Sequence, residues 1–384
     1  MEYDWIEIDR IPTLSSDHQL ILFGAGEGSR QVLNYFKKSD TRPQTIAVAD
    51  NDSSMWGRDF EGIDIISPAD ITTLMQKHLN CRVMVTTISG QESVGKQLTA
   101  MGFDEDQHYF QIGCYPSLMS NFEALLDLNG RHQFITEELR VLHVGPGGFL
   151  GLECGLSALG CRVTSIDAFG FSMHYPNIAD VHHQYNQARA VFLKTAGSLG
   201  RDNKELHAAW DALVIKNGDD YHLDADRIDY RYPFRFSDLP VEDQSIDLLV
   251  SFAVLEHVHK PDKVIQEIKR VLSPGGICCH HIITWDHRSF SIVDGYTPLS
   301  YAQYSHQQWE EINADKFYQN RVLPFQWEDK FKTQGFEMLE HTVLDNYQIP
   351  AAEYETMYES FKQIPRRQLE KINCRQVVRK PAAK

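Results

Sequence analysis

Short apolar runs alternate with amphipathic segments over two stretches of the chain. In the first stretch, the apolar run at 20–23 leads through a glycine-rich turn at 24–29 into a segment with helical spacing. Similar apolar runs follow at 45–49 and 82–87. Such runs, when they alternate with helical segments, are typical of buried strands in a parallel sheet that has helices on both faces.

The second stretch repeats this pattern further along the chain. An apolar run at 139–144 precedes glycines at 145–151, further runs occupy 162–166 and 246–252, and helical spacing covers 264–272. The pattern predicts strands and helices in the same alternating order as in the first stretch.

The length of 384 residues exceeds the size at which one hydrophobic core usually stops growing. We therefore predict an α/β protein with two tandem Rossmann-like doubly wound domains. The first is expected at 1–117 and the second at 139–384, joined by a connecting helix at 118–138.

The charge balance disfavours a nucleic-acid partner, because the formal net charge is -16 and binding to phosphate backbones needs clustered Lys and Arg. Basic residues do cluster near the C-terminus, and we interpret them as a solvated helix face followed by an edge strand. A phosphate- or membrane-binding patch is the alternative. The cluster contains Lys362, Arg366, Arg367, Lys371, Arg375, Arg379, Lys380 and Lys384.

Nothing in the sequence resembles a targeting segment. Residues 1–12 are acidic and lack the basic and apolar regions of a signal peptide, and no apolar run is long enough for a transmembrane segment. We expect a cytoplasmic protein whose seven cysteines, without CxxC spacing, are reduced and mainly buried. These are Cys81, Cys114, Cys154, Cys161, Cys278, Cys279 and Cys374.

The first glycine-rich turn has features of a nucleotide site. Gly24 and Gly26 would present backbone N–H groups at a helix N-terminus, and Asp50 ends the next strand, where an acid can bind ribose. This geometry suits a dinucleotide or nucleotide sugar, although Ser29 replaces the third glycine of GxGxxG. A turn that only closes the fold is the alternative.

Residues 18–115 resemble the small Rossmann-like N-terminal domains of enzymes from bacterial surface-polysaccharide and sugar-modification pathways. The resemblance is carried by the segments FGAGEGSRQVLNYF, VADND, RVMVTT and AMGF. It implies a pathway context and a possible nucleotide or nucleotide-sugar ligand at this domain, without implying a chemical step.

The second glycine-rich turn is followed by a more specific pattern. Asp167 ends the strand after the turn, where a carboxylate can accept both ribose hydroxyls. The stretch 239–258, LPVEDQSIDLLVSFAVLEHV, then leads through a helical segment to Pro274-Gly275-Gly276.

From 139 to about 345 the chain resembles class I S-adenosylmethionine-dependent methyltransferases of the methyltransferase type 11 kind, which include quinone-biosynthesis enzymes. Their pattern combines LPF-x-D-x-SFD, S-x-x-VLEH and RVL-x-PGG. The resemblance implies S-adenosylmethionine as cofactor. It further implies that Gly145 and Gly147 contact the methionine part, Asp167 holds the ribose, Phe236 and Ser237 flank the adenine, and Ser251 and Phe252 line the floor beside the sulfonium. The chain departs from the pattern at His143 and Arg235, where the family often has acids.

Candidate catalytic residues lie late in the strand that follows Gly276 and in the loop after it, and alternation along this strand places His280 and His281 on opposite faces. A class I fold directs this part of the chain toward the substrate, and an imidazole that removes a proton would activate a hydroxyl acceptor. We predict His281 and His287 as catalytic residues, with Asp286 orienting an imidazole and His257 as a further candidate. Buried structural histidines and a divalent metal site are the alternatives; we expect no metal.

Aromatic residues are dense between 294 and 325, and we expect this segment to form a substrate lid over sugar rings. Packing alone is the alternative. Together with His281, Asp286-His287 and 318–321, the segment resembles methyltransferases found with polysaccharide gene clusters. The aromatic residues are Tyr296, Tyr301, Tyr304, Trp309 and Tyr318.

These inferences combine into one functional prediction. We expect an S-adenosylmethionine-dependent O-methyltransferase that acts on a hydroxyl of a sugar or glycan precursor, in surface-polysaccharide biosynthesis. Methylation of another small molecule or of a phosphate oxygen is one alternative, and a non-catalytic scaffold with a degenerate methyltransferase fold is another. A nicotinamide-dependent oxidoreductase is disfavoured, because no Tyr-x-x-x-Lys pair accompanies the first domain.

Overall fold

The computed structural model describes residues 14–38, 43–87, 91–105, 107–111, 116–172, 175–178, 182–197, 199–218, 220–290, 296–313 and 318–382. The chain divides into two compact units. The first contains Met1–Ser117 and Asp286–Thr297, and the second contains Leu118–Trp285 and Pro298–Lys384.

The first unit is built on a six-stranded sheet with the strand order β3-β4-β2-β1-β5-β6. All pairs are parallel except β3 with β4, which is antiparallel. The elements are β1 (Gln19–Phe23), α1 (Glu27–Lys38), β2 (Gln44–Ala49), β3 (Asp59–Phe60), β4 (Ile63–Ile66), α2 (Asp70–Lys77), β5 (Cys81–Val85), α3 (Gln91–Ala100) and β6 (Tyr109–Gln111).

The two faces of β1 explain its uninterrupted apolar run. Leu20 and Leu22 pack in a cluster that includes α1, whereas Ile21 and Phe23 pack in a second cluster that includes α2 and α3. Successive side chains of a strand point to opposite faces of its sheet, so a sheet covered on both sides buries every residue of a central strand.

The second unit is built on a seven-stranded sheet with the strand order β11-β8-β7-β12-β13-β15-β14. The elements are α4 (Pro116–His132), β7 (Arg140–Val144), α5 (Gly151–Ala158), β8 (Arg162–Ile166), α6 (His182–Gly197), α7 (Asn203–Asp211), β9 (Val214–Asn217), β10 (Asp220–Leu223), β11 (Ile228–Arg231), β12 (Ile246–Phe252), α8 (Pro261–Val271), β13 (Leu272–Ile282), α9 (His306–Ile312), α10 (Pro324–Thr333), β14 (Glu337–Asn346), α11 (Ala351–Thr356), α12 (Glu359–Lys362), α13 (Arg366–Leu369) and β15 (Lys371–Arg379).

The order of these strands creates a switch point in the sheet. The chain runs outward from β7 to β8 and β11, and then returns to place β12 on the other side of β7. In open α/β sheets, ligands bind beyond the carboxyl ends of the strands at such a point. The α/β class predicted from the sequence is confirmed.

Helix α8 shows how the sequence sets one layer of this unit. Pro261 stands in its first turn, where the missing N–H costs nothing, and Lys269 and Arg270 lie in its last turn near the negative end of the helix dipole. Its buried side chains, which recur at helical spacing, join the core that covers one face of the sheet. They are Val264, Ile265, Ile268 and Val271.

The structure corrects the expectation for the C-terminal basic segment. We expected an edge strand there, but β15 lies between β13 and β14 and is antiparallel to both, so β14 occupies the edge. Several of the basic side chains have partners: Lys362 pairs with Glu359, Arg366 with Glu370, and Arg379 with Glu337.

Helices α6 and α7 and the hairpin β9–β10 interrupt the strand–helix alternation between β8 and β11. Helix α7 begins after Asp202, whose carboxylate accepts hydrogen bonds from the backbone N–H groups of Lys204 and Glu205. The sequence pattern did not predict this insertion.

The aromatic segment of the second unit is packed rather than open. Tyr301 and Trp309 are buried in a cluster with Leu299, Phe361 and Leu369, which binds the segment to the C-terminal helices. Packing therefore accounts for these two aromatic side chains, and the predicted lid is not confirmed.

The six described cysteines are free and buried, as expected, while Cys114 lies outside the described residues. No helix within the described ranges has the length and apolar character needed to cross a membrane.

Candidate functional site

The second glycine-rich turn connects β7 to α5 at the switch point. Gly145 and Gly147 have φ angles of 73° and 74°, which glycine adopts without the steric cost that other residues meet. A Cβ atom at Gly145 would lie 2.4 Å from a methyl carbon of Val254, whereas one at Gly147 would meet nothing within 4 Å. The backbone is therefore tightly packed at Gly145 and open to a ligand at Gly147.

Asp167 lies beside this turn, as the sequence pattern required. Its carboxylate accepts hydrogen bonds from the backbone N–H groups of Gly147 and Phe169, at 3.3 and 3.0 Å. Burial raises the pKa of Asp167, and these N–H groups partly offset that effect because they favour the ionised form. The structure thus brings together two residues predicted to hold adjoining parts of one cofactor, its methionine part and its ribose.

The segment predicted to flank the adenine is anchored to the same strand end. The backbone N–H of Phe234 donates to the carbonyl of Asp167 at 2.9 Å. The side chain of Phe236 packs in the core, Ser237 is half-buried and Arg235 is exposed. Contact with a ligand from this segment would come from its backbone and from Ser237 rather than from the Phe236 ring.

Ser251 and Phe252 end β12 and point to opposite faces of the sheet. The hydroxyl of Ser251 lies 2.8 Å from Nδ1 of His280, and both residues are fully buried. Burial lowers the pKa of His280 to about 3, so this imidazole is neutral. On the other face, the ring of Phe252 meets the ring of His143 edge-on, at 5.9 Å between centroids.

Ala253 follows β12 with a φ of 54°, the left-handed region that non-glycine residues seldom adopt. Its backbone N–H donates to the carbonyl of His281 at 2.9 Å. A residue held in this conformation costs free energy and marks a turn fixed by its surroundings. Here the turn directs the chain from β12 into the 3-10 helix Leu255–His257.

Asn320 anchors this short helix. Its side-chain amide donates to the carbonyls of Leu255 and Val258, at 2.7 and 3.1 Å, and its backbone N–H donates to the carbonyl of Glu256 at 2.6 Å. Asn320 thus fixes the position of Glu256 and His257 at the end of β12.

Glu256 and His257 have different environments on this helix. Glu256 is buried, and burial raises its pKa to about 8, although the backbone N–H groups of Glu256 and Ile283 act in the opposite direction. His257 has Nδ1 2.8 Å from the carbonyl oxygen of Tyr318, and burial lowers its pKa. At neutral pH the carboxyl group is therefore mostly protonated and the imidazole neutral.

His281 lies near the end of β13, opposite Arg375 of β15. It is 8% exposed, and burial together with the charge of Arg375 lowers its pKa to about 4. Its imidazole is thus neutral at physiological pH.

Asp286 and His287 belong to the first unit, while His281 belongs to the second. The carboxylate of Asp286 is buried and accepts hydrogen bonds from Nε and Nη2 of Arg288, at 3.0 and 2.6 Å. His287 begins the 3-10 helix His287–Phe290. The main described partner of Asp286 is therefore a guanidinium, and its predicted role in orienting an imidazole stays a prediction.

A buried polar cluster that the sequence did not reveal lies beneath the glycine turn. Nδ1 of His143 is 2.5 Å from Oε1 of Glu153, and the hydroxyl of Ser165 donates to the same oxygen at 2.6 Å. All three residues are buried. The one available signal is that Glu153 is the sole charged residue of α5, a helix in which every residue is buried.

Polar groups of the first glycine-rich turn form hydrogen bonds within the first unit. The carboxylate of Asp50 accepts the backbone N–H groups of Ala25 and Asp52, at 2.7 and 2.8 Å. A Cβ at Gly28 would lie 2.0 Å from the carbonyl oxygen of Thr86, so glycine is needed there for close packing of α1 on the sheet. These contacts favour the structural interpretation of the turn, and a nucleotide ligand stays a prediction.

Two family models match the chain. Residues 221–280 match a methyltransferase domain, and residues 16–108 match a family described as C2185-like, N-terminal. The segment that matches the methyltransferase domain lies within the second unit. This match confirms two predictions from the sequence: the enzyme is an S-adenosylmethionine-dependent methyltransferase, and its cofactor is S-adenosylmethionine. No curated protein is significantly similar to the chain.

Solved structures of several functions resemble the chain at low identity. An S-adenosylmethionine-dependent methyltransferase from Methanosarcina mazei is 14% identical, with 66% of this chain and 97% of that chain covered and a TM-score of 0.36. The geranyl diphosphate C-methyltransferase from Streptomyces coelicolor A3(2) is 13% identical, with 68% and 76% covered and a TM-score of 0.36. The [4+2]-cyclase SpnF is 15% identical, with 68% and 82% covered and a TM-score of 0.36. Likenesses this low transfer no substrate to this chain.

The residues at the switch point fit the cofactor. Gly147 leaves open space beside the Asp167 carboxylate, and Nε2 of His143 is a buried polar atom without a partner among the described residues. When bound, S-adenosylmethionine supplies an electrophilic methyl group on its sulfonium. The role of the side chains beyond β12 and β13 in binding an acceptor stays a prediction.

Proposed function

We propose that the enzyme transfers the methyl group to an oxygen, and that the acceptor is a hydroxyl of a sugar or glycan precursor. A hydroxyl is a poor nucleophile until its proton leaves, so a neutral imidazole within reach of it assists transfer. The observation that supports this proposal is a pair of neutral imidazoles on neighbouring strands: His257 follows the end of β12, and His281 lies near the end of β13.

The two histidines differ in their suitability as a base. His281 is 8% exposed and lies opposite Arg375, whose charge opposes protonation of its ring. His257 is more exposed, and its Nδ1 lies at the carbonyl of Tyr318, which favours the protonated form. We therefore assign proton acceptance to His257 first, with His281 shaping the site. His287 and Asp286 remain predicted contributors.

A sugar acceptor is supported by the resemblance of the sequence to methyltransferases of polysaccharide gene clusters, and surface-polysaccharide biosynthesis is the context we propose. Methylation of a different small molecule or of a phosphate oxygen is the second candidate, since the same imidazoles would serve it.

The experiment is transfer of a labelled methyl group from S-adenosylmethionine to panels of nucleotide sugars, glycan precursors, other small-molecule hydroxyls and phosphate esters. We expect transfer to one or more sugar hydroxyls. Turnover should fall in His257→Ala and His281→Ala, while cofactor affinity changes little. Transfer only to non-sugar acceptors would contradict the proposed acceptor. Unchanged turnover in His257→Ala would contradict the assignment of the base.

A further inference from the structure

Arg375 carries a half-buried guanidinium that has no hydrogen-bond or ion-pair partner among the described residues. The residue lies on β15, which is flanked by β13 and β14, so its side chain stands on a face of the sheet. Its Nε is enclosed by the protein. A guanidinium stays charged and carries several N–H donors, and enclosed donors without acceptors cost free energy. The fold keeps this charge without giving it an acceptor.

The acid with the largest electrostatic effect on Arg375 is Glu340 of β14, and its oxygens are occupied by other groups. Oε2 of Glu340 accepts Nε of Arg131 at 3.1 Å and lies 3.2 Å from Nε2 of His132. Oε1 accepts Nη2 of Arg131 at 3.2 Å and the hydroxyl of Thr342 at 3.0 Å. A carboxylate offers about four acceptor positions. These four contacts fill them, so Glu340 cannot also bind Arg375.

Two other ion pairs show that the lack of a partner is specific to Arg375. Asp127, the other acid that acts on Arg375, is paired with Arg131 at 2.6 Å. Arg379 lies on the same strand and face as Arg375, and it is paired with Glu337 at 3.4 Å. The acids around this part of the sheet are thus directed to other guanidinium groups.

The position of Arg375 connects it to the predicted cofactor floor. Phe252, His281, Arg375 and Thr342 stand opposite one another on β12, β13, β15 and β14, and form one row on one face of the sheet. Phe252 and His281 are 9% and 8% exposed, whereas Arg375 and Thr342 are half-buried. Arg375 is two strands from Phe252, about 10 Å at the usual strand spacing. One small acceptor can span this separation.

We propose that Arg375 binds an anionic group, a carboxylate or a phosphate, on the methyl acceptor. The planar fork of a guanidinium matches both groups and can bind either through two parallel hydrogen bonds. Arg375 is thus a specificity-determining residue that selects acidic sugars or sugar phosphates over neutral sugars. This inference rests on the proposed function, because it takes the acceptor to lie beside His281.

The test is calorimetric titration of inorganic phosphate, glucuronate and glucose into the full-length protein. Glucuronate and glucose differ in whether a carboxylate is present, and phosphate supplies the other anion. S-adenosylhomocysteine is added at saturation, so that the anions cannot occupy the cofactor site. The variants are Arg375→Gln, which removes the charge, and Arg375→Lys, which keeps the charge without the fork. Arg379→Gln is the matched control, on the same strand and face.

We expect the wild type to bind phosphate or glucuronate more tightly than glucose, and the preferred anion identifies the group. Arg375→Gln should weaken binding of that anion by about 10- to 100-fold, Arg375→Lys should lose less, and Arg379→Gln should change it less than about twofold. Anions that bind no better than glucose, an unchanged affinity in Arg375→Gln, or an equal loss in Arg379→Gln would each overturn the inference. Absence of methyl transfer to every hydroxyl acceptor would instead contradict the proposed function, since the titration does not depend on turnover.

Discussion

The buried carboxyl group of Glu256 gives a prediction that can be worked from the structure. Burial raises its pKa to about 8 in the folded protein, against an ordinary value of 4.5. Between these two pH values the folded protein keeps a proton that the unfolded chain releases. Stability therefore falls as pH rises through this window, by at most about 1.4 kcal/mol per pH unit. Between pH 6 and pH 8 the loss is about 2 kcal/mol, because the group is half titrated at the upper limit.

The substitution Glu256→Gln removes this titration and keeps the size and shape of the side chain. Urea unfolding at pH 6, 7 and 8 can be followed by tryptophan fluorescence, to which the buried Trp210 and Trp327 contribute. The free energy of unfolding of the wild type, minus that of the variant, should fall by about 2 kcal/mol from pH 6 to pH 8.

Glu267→Gln is the matched control. Burial alone would raise the pKa of Glu267, but hydrogen bonds from Arg270 and from the backbone N–H of Leu239 outweigh it and lower that pKa. The ionised carboxylate of Glu267 stabilises the fold at pH values above the pKa that Glu267 has in the unfolded chain, and this stabilisation is lost only in acid. The difference in free energy of unfolding between the wild type and Glu267→Gln should therefore not change between pH 6 and 8. A constant or rising difference for Glu256→Gln would refute the reasoning.

Three further predictions concern other parts of the structure. Gly145→Ala should lower stability more than Gly147→Ala, because both meet unfavourable φ angles but only Gly145 lacks room for a Cβ; equal effects in thermal unfolding would contradict this. Ser251→Ala should lower the free energy of unfolding by about 1–3 kcal/mol by leaving Nδ1 of His280 unpaired, and no loss in urea unfolding would show that the bond is unimportant. Trp309→Ala should cost about 3–5 kcal/mol as a core substitution, whereas an unchanged unfolding midpoint would favour a lid.

Features set by neighbouring residues could be predicted from the sequence. The strand, glycine turn and helix around Gly145 and the acid at Asp167 follow one another along the chain. Parallel strand pairing then brings the two strand ends together. The alternation of residues along β13 also separates His280 from His281 without knowledge of the rest of the fold.

Features set by distant contacts could not be predicted in this way. The inner position of β15 depends on its antiparallel pairing with β13 and β14, and no local pattern along the sequence identifies this pairing. The apolar character of Tyr301 and Trp309 fits a lid or a core equally well until the C-terminal helices are seen to cover them. The partner of His143 in the buried cluster, Glu153, lies ten residues away on α5, and no local pattern pairs the two residues.

The measurement that tests the central claim most directly is calorimetric titration of S-adenosylmethionine into the wild type, Asp167→Ala and Asp50→Ala. The chain itself offers this matched pair, since each acid follows a strand beside a glycine-rich turn in its own unit. We predict binding by the wild type, a loss of about 100-fold or more in Asp167→Ala as two hydrogen bonds from the ribose disappear, and no change in Asp50→Ala. Absence of wild-type binding at hundreds of micromolar, or a loss seen in Asp50→Ala instead, would contradict the account.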